Sequence, residues 1–199
     1  MSRKLLLTVA FTACSMLHAS AYAQMNWLKV QPVFTLGQSN GGETLLTVVY
    51  NTGEKQKFKA GGGSFVTAGA VARMTNRPFD VSLTIGYHVD KDKAIDGEVE
   101  FSRVPVELIG YLRALPNLRV GLGVRSAQQV KFSANVRGVD YADYKFKSGA
   151  SPIIEGDWFF TPRWSLGVRH VQEKVHTTYF GETATANADH WALFTRLTF

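Results

Sequence analysis

Cysteine is almost missing from this chain. Cys14 is the single thiol in 199 residues, and it lies in a stretch that reads as a secretory signal peptide. Arg3 and Lys4 make a positive start. Leu5 to Ala13 is apolar but short of the ~20 residues that a spanning helix needs. Ala21-Tyr22-Ala23 gives the small-x-small pattern before Gln24. Cleavage after Ala23 is the expectation. The rival is a lipoprotein signal at Phe11-Thr12-Ala13-Cys14, which has Phe where an aliphatic residue is usual. Residues 1–23 are then the signal and 24–199 a single domain. The mature chain has no thiol, which excludes disulfides and cysteine chemistry. Cleavage takes two of the 22 Lys and Arg and none of the 16 Asp and Glu, leaving a net charge of +4. No basic run remains of the kind that binds nucleic acid. After residue 23 no segment resembles a transmembrane helix, so membrane residence would demand a closed barrel.

What the chain does have is alternation. Phe79, Val81, Leu83, Ile85 and Tyr87 oppose Asp80, Ser82, Thr84, Gly86 and His88. Leu118, Val120, Leu122 and Val124 oppose Arg119, Gly121, Gly123 and Arg125, and Trp164, Leu166 and Val168 oppose Ser165, Gly167 and Arg169. Period two makes each run a strand with one apolar face. Tight turns before Pro78, at Leu115-Pro116-Asn117 and at Thr161-Pro162-Arg163 alternate with longer polar stretches at 38–59, 90–97, 133–147 and 181–189. Eight strands result, near 27–37, 60–74, 79–89, 99–114, 118–132, 148–160, 164–180 and 190–199. The expected fold is all-β, an eight-stranded antiparallel up-and-down barrel. Short turns would face the periplasm and long loops the outside.

Turn centre and strand parity fix the register of each hairpin. Arg73 is expected opposite Asp80, Glu107 opposite Arg125, Tyr111 opposite Gly121, Glu155 opposite Arg169 and Asp157 opposite Gly167. Each hairpin thus carries an opposite-charge pair on its polar face. Such pairs matter little on a wet surface and are expected inside a narrow barrel, where a lone charge is costly. Glycines 69, 86, 121, 123 and 167 share that face and would leave room for long side chains. Pro105 cannot donate a ladder bond, so a β-bulge is expected near Arg103–Pro105.

Alternation alone does not say which face points inward. A soluble lipocalin-like barrel would bury the apolar face. The signal peptide and the aromatics favour the reverse. Phe79, Phe160, Trp164 and Phe199 fall beside the tight turns as one girdle. Tyr87 and Trp191 stand eight residues from a girdle member, about 20 Å at ~3.3 Å per residue and ~40° tilt, near the height of the apolar band. The final strand, Trp191 to Phe199, ends on an aromatic, as bacterial outer-membrane barrels do. The chain resembles the small eight-stranded outer-membrane barrels of the OmpA, OmpX and OmpW type over nearly all of residues 24–199. The resemblance implies residence in the outer membrane after export through the periplasm. It also implies outer-membrane lipid as surroundings and the barrel-assembly machinery as a partner during insertion. Phe199 would be the assembly signal.

That shape hosts anchors, adhesins, conduits and lipid A-modifying enzymes, and does not choose among them. Lipid A deacylases of this shape use a lipid-facing His and Ser two residues apart. Here His170 is followed by Gln172, so the nucleophile is missing. His88 is expected as a solvated histidine at the outer rim. His176 and His190 have no second clear ligand. Glu155 and Asp157 read as arginine partners rather than an acid/base dyad. The reading therefore carries no catalytic residue, no cofactor and no metal. Arg73, Glu107, Tyr111, Arg125, Glu155, Phe159, Arg169, Phe194 and Arg196 would fill the lumen. The expected role is structural or adhesive, through extracellular loops and protruding strands that meet an extracellular protein or surface ligand. A strand continuing past the membrane to Phe180, a hairpin around Asn51-Thr52-Gly53, and Tyr141 and Tyr144 are its candidates. A lipid A-modifying enzyme and a narrow conduit for small solutes are the alternatives.

Overall fold

A computed structural model describes residues 27–49, 55–94, 97–136, 139–179 and 182–199. The signal-peptide reading and Cys14 lie outside the described residues, as do the side chains of Tyr141 and Tyr144. Thirteen strands are described: β1 (Leu28–Gly41), β2 (Thr44–Val49), β3 (Lys55–Lys59), β4 (Gly63–Met74), β5 (Phe79–Ala94), β6 (Gly97–Leu115), β7 (Leu118–Val136), β8 (Val139–Ser148), β9 (Ala150–Phe159), β10 (Trp164–Val171), β11 (Lys174–Tyr179), β12 (Glu182–Asn187) and β13 (His190–Thr198).

Eight of them close a ring of antiparallel staves: β1, β4, β5, β6, β7, β9, β10 and β13, the last pairing back onto β1. Closure leaves the ring itself no open edge. The three hairpin registers follow from the tight turns. Arg73 pairs with Asp80, Glu107 with Arg125, Tyr111 with Gly121, Glu155 with Arg169 and Asp157 with Gly167. The register slips between Arg113 and Leu115, at the tight turn, and again between Ser102 and Val104, beside Pro105. On the facing strand Gln129 takes φ 51°. A missing N–H is absorbed there by a bulge.

The polar stretches are where the sequence reading needs correction. Much of 90–97 and 133–147 is strand rather than loop, because β5, β6, β7 and β8 run on past the ring. Residues 182–187 form β12, and β1 continues to Gly41. The strand expected over 164–180 is interrupted at Gln172-Glu173, where β10 leaves off and β11 begins. β11 pairs with β8 on one side and β12 on the other, while β2 and β3 form a separate hairpin. Above a membrane both faces of a strand meet water, so alternation disappears and the segment reads as loop.

Glycines on the inner face serve two purposes. A Cβ at Gly121 would strike the Tyr111 ring, and one at Gly167 the Phe194 ring. These two make room for side chains, as expected. Gly69, Gly86 and Gly123 differ: their Cβ would meet the backbone carbonyls of Leu83, Val66 and Leu108. They allow close approach of neighbouring strands.

Candidate functional site

The faces are inverted relative to a soluble barrel. Leu122 is 68% exposed and Leu193 65%, whereas Arg119, Arg125 and Arg169 are each 1% exposed. Phe79, Phe160, Trp164 and Phe199 are all exposed at the tight-turn end, joined by Trp27 and Trp158. Trp191 and Tyr87 are exposed toward the other end, where Trp191 stacks on His170 at 4.5 Å. So wide an apolar belt has no stable place in water, and a ring with every backbone group paired is one of two structures that lipid tolerates. The chain is an eight-stranded β-barrel with the faces of a membrane-spanning one. In outer-membrane barrels short turns lie at the periplasmic end and extended strands outside, and the two ends are called periplasmic and outer on that pattern.

The barrel encloses a network of charges in three tiers. In the middle, Glu107 receives Arg125 Nη1 at 3.2 Å and Arg169 Nη1 at 3.0 Å on the same oxygen. Arg169 also reaches Glu155 at 2.9 Å, and Arg196 reaches Glu155 at 2.8 Å. Tyr111 donates a short hydrogen bond to Glu155. Arg169 lies between the rings of Phe65 and Phe194, at 4.9 and 4.8 Å. Toward the periplasm, Asp157 takes Arg119 at 2.6 Å and Arg196, and Asp80 stands 3.6 Å from Arg73. All three charge pairs derived from the turns therefore meet, inside one shared network rather than as isolated pairs. Chained in this way, each carboxylate answers more than one guanidinium, which a buried charge requires.

The outer tier holds what sequence reasoning missed. His88 is 1% exposed and His190 is 2% exposed. Their rings meet edge to face at 5.4 Å. His88 is thus a buried residue rather than a solvated one at the rim. Arg103 Nε and Arg125 Nη2 approach its Nδ1 at 3.1 and 3.2 Å. A guanidinium only donates, so Nδ1 accepts and Nε2 carries the hydrogen, with Ser39 Oγ at 2.8 Å and the carbonyl of Gly62 at 3.0 Å as its acceptors. Ser39 Oγ donates to the carbonyl of Gly61 at 2.8 Å, and Arg103 to that of Ala60 at 2.9 Å. Arg103 also pairs with Glu173 at 3.1 Å. The turn Ala60-Gly61-Gly62-Gly63 is thereby pinned inside the mouth, with Gly63 at φ 110°, a conformation that favours glycine. From this turn Ala60 packs with Phe101, Ala127, Val130, Val175 and Ala188 in one buried apolar cluster at the outer end. Neither His88 nor His190 has a neighbour on its own hairpin that would announce the pair. Ring closure alone brings β5 and β13 across from each other.

No protein-family model and no curated relative matches the sequence. Among solved structures, the chain is similar to Ail, the attachment invasion locus protein of Yersinia pestis, crystallised with the heparin analogue sucrose octasulfate. Identity is 11%, TM-score 0.49, covering 85% of this chain and 97% of that one. It is similar to Neisserial surface protein A at 11% identity and TM-score 0.45, over 86% and 97% of the two chains. The outer-membrane protein AlkL in lipid bilayers is a third, at 13% identity and TM-score 0.40, over 89% and 93%.

Proposed function

We propose that this barrel is a non-enzymatic surface protein whose role, structural or adhesive, is carried by the sheet that rises from it. The observation behind this reading is the pairing of β8, β11 and β12 beyond the ring, with β12 at the end of the sheet. An edge strand presents a row of N–H and C=O groups that can take up a strand from a partner. The filled lumen supports the same reading. Large charged side chains occupy its middle, and an apolar cluster is packed at its outer end, so solute passage through the barrel is disfavoured.

Ala184→Pro and Thr185→Pro test the edge. Adjacent residues of a strand point their N–H groups to opposite sides, so one proline breaks a bond to β11 and the other faces the open side. Bacteria displaying the open-side variant should keep a heat-modifiable barrel and lose most of their attachment to host matrix or cells. Unchanged attachment by both variants, together with resolved single-channel conductance in planar bilayers, would move the reading to a narrow conduit.

Phe199 is proposed as the signal read by the barrel-assembly machinery. It is outward-facing, and its backbone N–H bonds to the carbonyl of Pro32 at 3.0 Å. Deleting it should slow insertion in cells several-fold while refolding into detergent is little affected. Equal slowing in both settings would make its role purely structural.

A further inference from the structure

At the periplasmic mouth, positive charge outruns the carboxylates that face it. Arg113 of β6 stands directly across the ladder from Arg119 of β7, and like charges so placed repel. Asp80 is shared among three guanidiniums. Arg113 Nε lies 3.5 Å from one oxygen, and Arg73 Nε and Arg119 Nη1 lie 3.6 and 3.7 Å from the other. These gaps are too long for hydrogen bonds. Among the described residues, neither oxygen of Asp80 accepts a hydrogen bond, and those three arginine atoms donate none. The remaining bonds of Arg119 go to Asp157, which Arg196 also holds. Asp80 and Asp157 thus answer Arg73, Arg113 and Arg119, together with Arg196, which Glu155 shares. Arg113 Nη2 is already taken up by the carbonyls of Met74 and Arg77, which leaves its Nε unmatched. The unmatched N–H groups border a cavity of about 450 Å³, walled also by Leu115, Leu118, Phe159 and Phe160.

We propose that this mouth binds a phosphate oxyanion, held by Arg73, Arg113 and Arg119. Guanidinium forks match phosphate oxygens in geometry and charge. A dianion would cancel the local excess and separate Arg113 from Arg119. The surrounding lipid and protein are poor screeners, which strengthens the attraction. Arg73 and Arg113 are 27% and 32% exposed at their side chains, so an anion can reach them, while Arg119 anchors the floor at 1%. Two sources share this chemistry. One is free phosphate. The other is the headgroup of an anionic phospholipid in the inner leaflet, since Leu115 and Phe160 are exposed at the same level.

The barrel, refolded in phosphate-free zwitterionic detergent, is titrated with inorganic phosphate in one arm. Short-chain phosphatidylglycerol is used in the other. Arginine Nε–Hε resonances report the result. Saturable shifts at Arg73, Arg113 and Arg119 are expected in at least one arm, and the responding arm names the source. Arg113→Gln should weaken binding by roughly tenfold or more, and Asp80→Asn, which removes the competing carboxylate, should tighten it by a similar factor. Heat-modifiable migration verifies folding, and Arg73→Gln replaces either variant that fails it. No saturable shift in either arm overturns the proposal. So does parental affinity in the folded variants.

Discussion

Glu107→Ala lowers the refolding stability of the barrel by on the order of 3–5 kcal/mol, the range for breaking a fully buried ion pair. Glu107 is 1% exposed and is held by Arg125 and Arg169 together, with Thr84 donating at 3.4 Å. Its loss leaves Arg169 with Glu155 as its carboxylate partner and Arg125 with the longer contact to Glu173 at 3.7 Å, in a shell that lipid surrounds. Adding Arg125→Ala removes only one of them. The double variant should therefore stay below the parent, yet be more stable than the sum of the single losses predicts. A coupling of roughly 1–3 kcal/mol is expected in a double-mutant cycle measured in detergent or lipid. A coupling near zero would show that Glu107 and Arg125 do not meet, and would return the inverted, soluble barrel to consideration.

Gly167→Val has the next largest effect. Its Cβ would run into the Phe194 ring and come within 2.7 Å of Asp157 Oδ1. Phe194 is itself packed by Arg169 and Arg196 at 4.8 and 4.7 Å, so it has no room to yield. Overpacking of this kind costs about 1–3 kcal/mol and can exceed it where charges must also shift. Gly156→Val is the control. A Cβ there would meet nothing within 4 Å and would point outward, so its effect should be within about 0.5 kcal/mol. Equal losses at 156 and 167 in urea refolding would indicate that strand propensity, rather than lumen packing, sets the cost.

Why the sequence revealed some of this and concealed the rest follows from chain geometry. A tight turn links two strands with no slack, so parity on either side fixes partners such as Glu107 and Arg125. Arg119 and Asp157 are also paired, 3-D neighbours through β7 and β9, but β8 lies between them in the chain. No short turn fixes that register, so Arg119 could not be assigned a partner. The same holds for Arg196, whose stave is joined to β1 only by closure of the ring. The extension into β11 and the hairpin of β2 and β3 were legible, but the strands within 90–97, 133–147 and 182–187 were hidden for a different reason. Water wets both their faces, and nothing in their composition then separates strand from loop.

The latch at the outer mouth is built in two parts. The donors to the carbonyls of Ala60, Gly61 and Gly62 stand on β6 (Arg103), β1 (Ser39) and β5 (His88). β1, β4, β5 and β6 pair in succession, without help from β13. The glycine-rich turn can therefore be seated on a half-built wall. Only the bond from Arg103 to Glu173, at the joint beyond β10, needs the opposite wall in place. The piece of the latch that completes it is then an ion pair, and the turn is the template on which that pair is positioned.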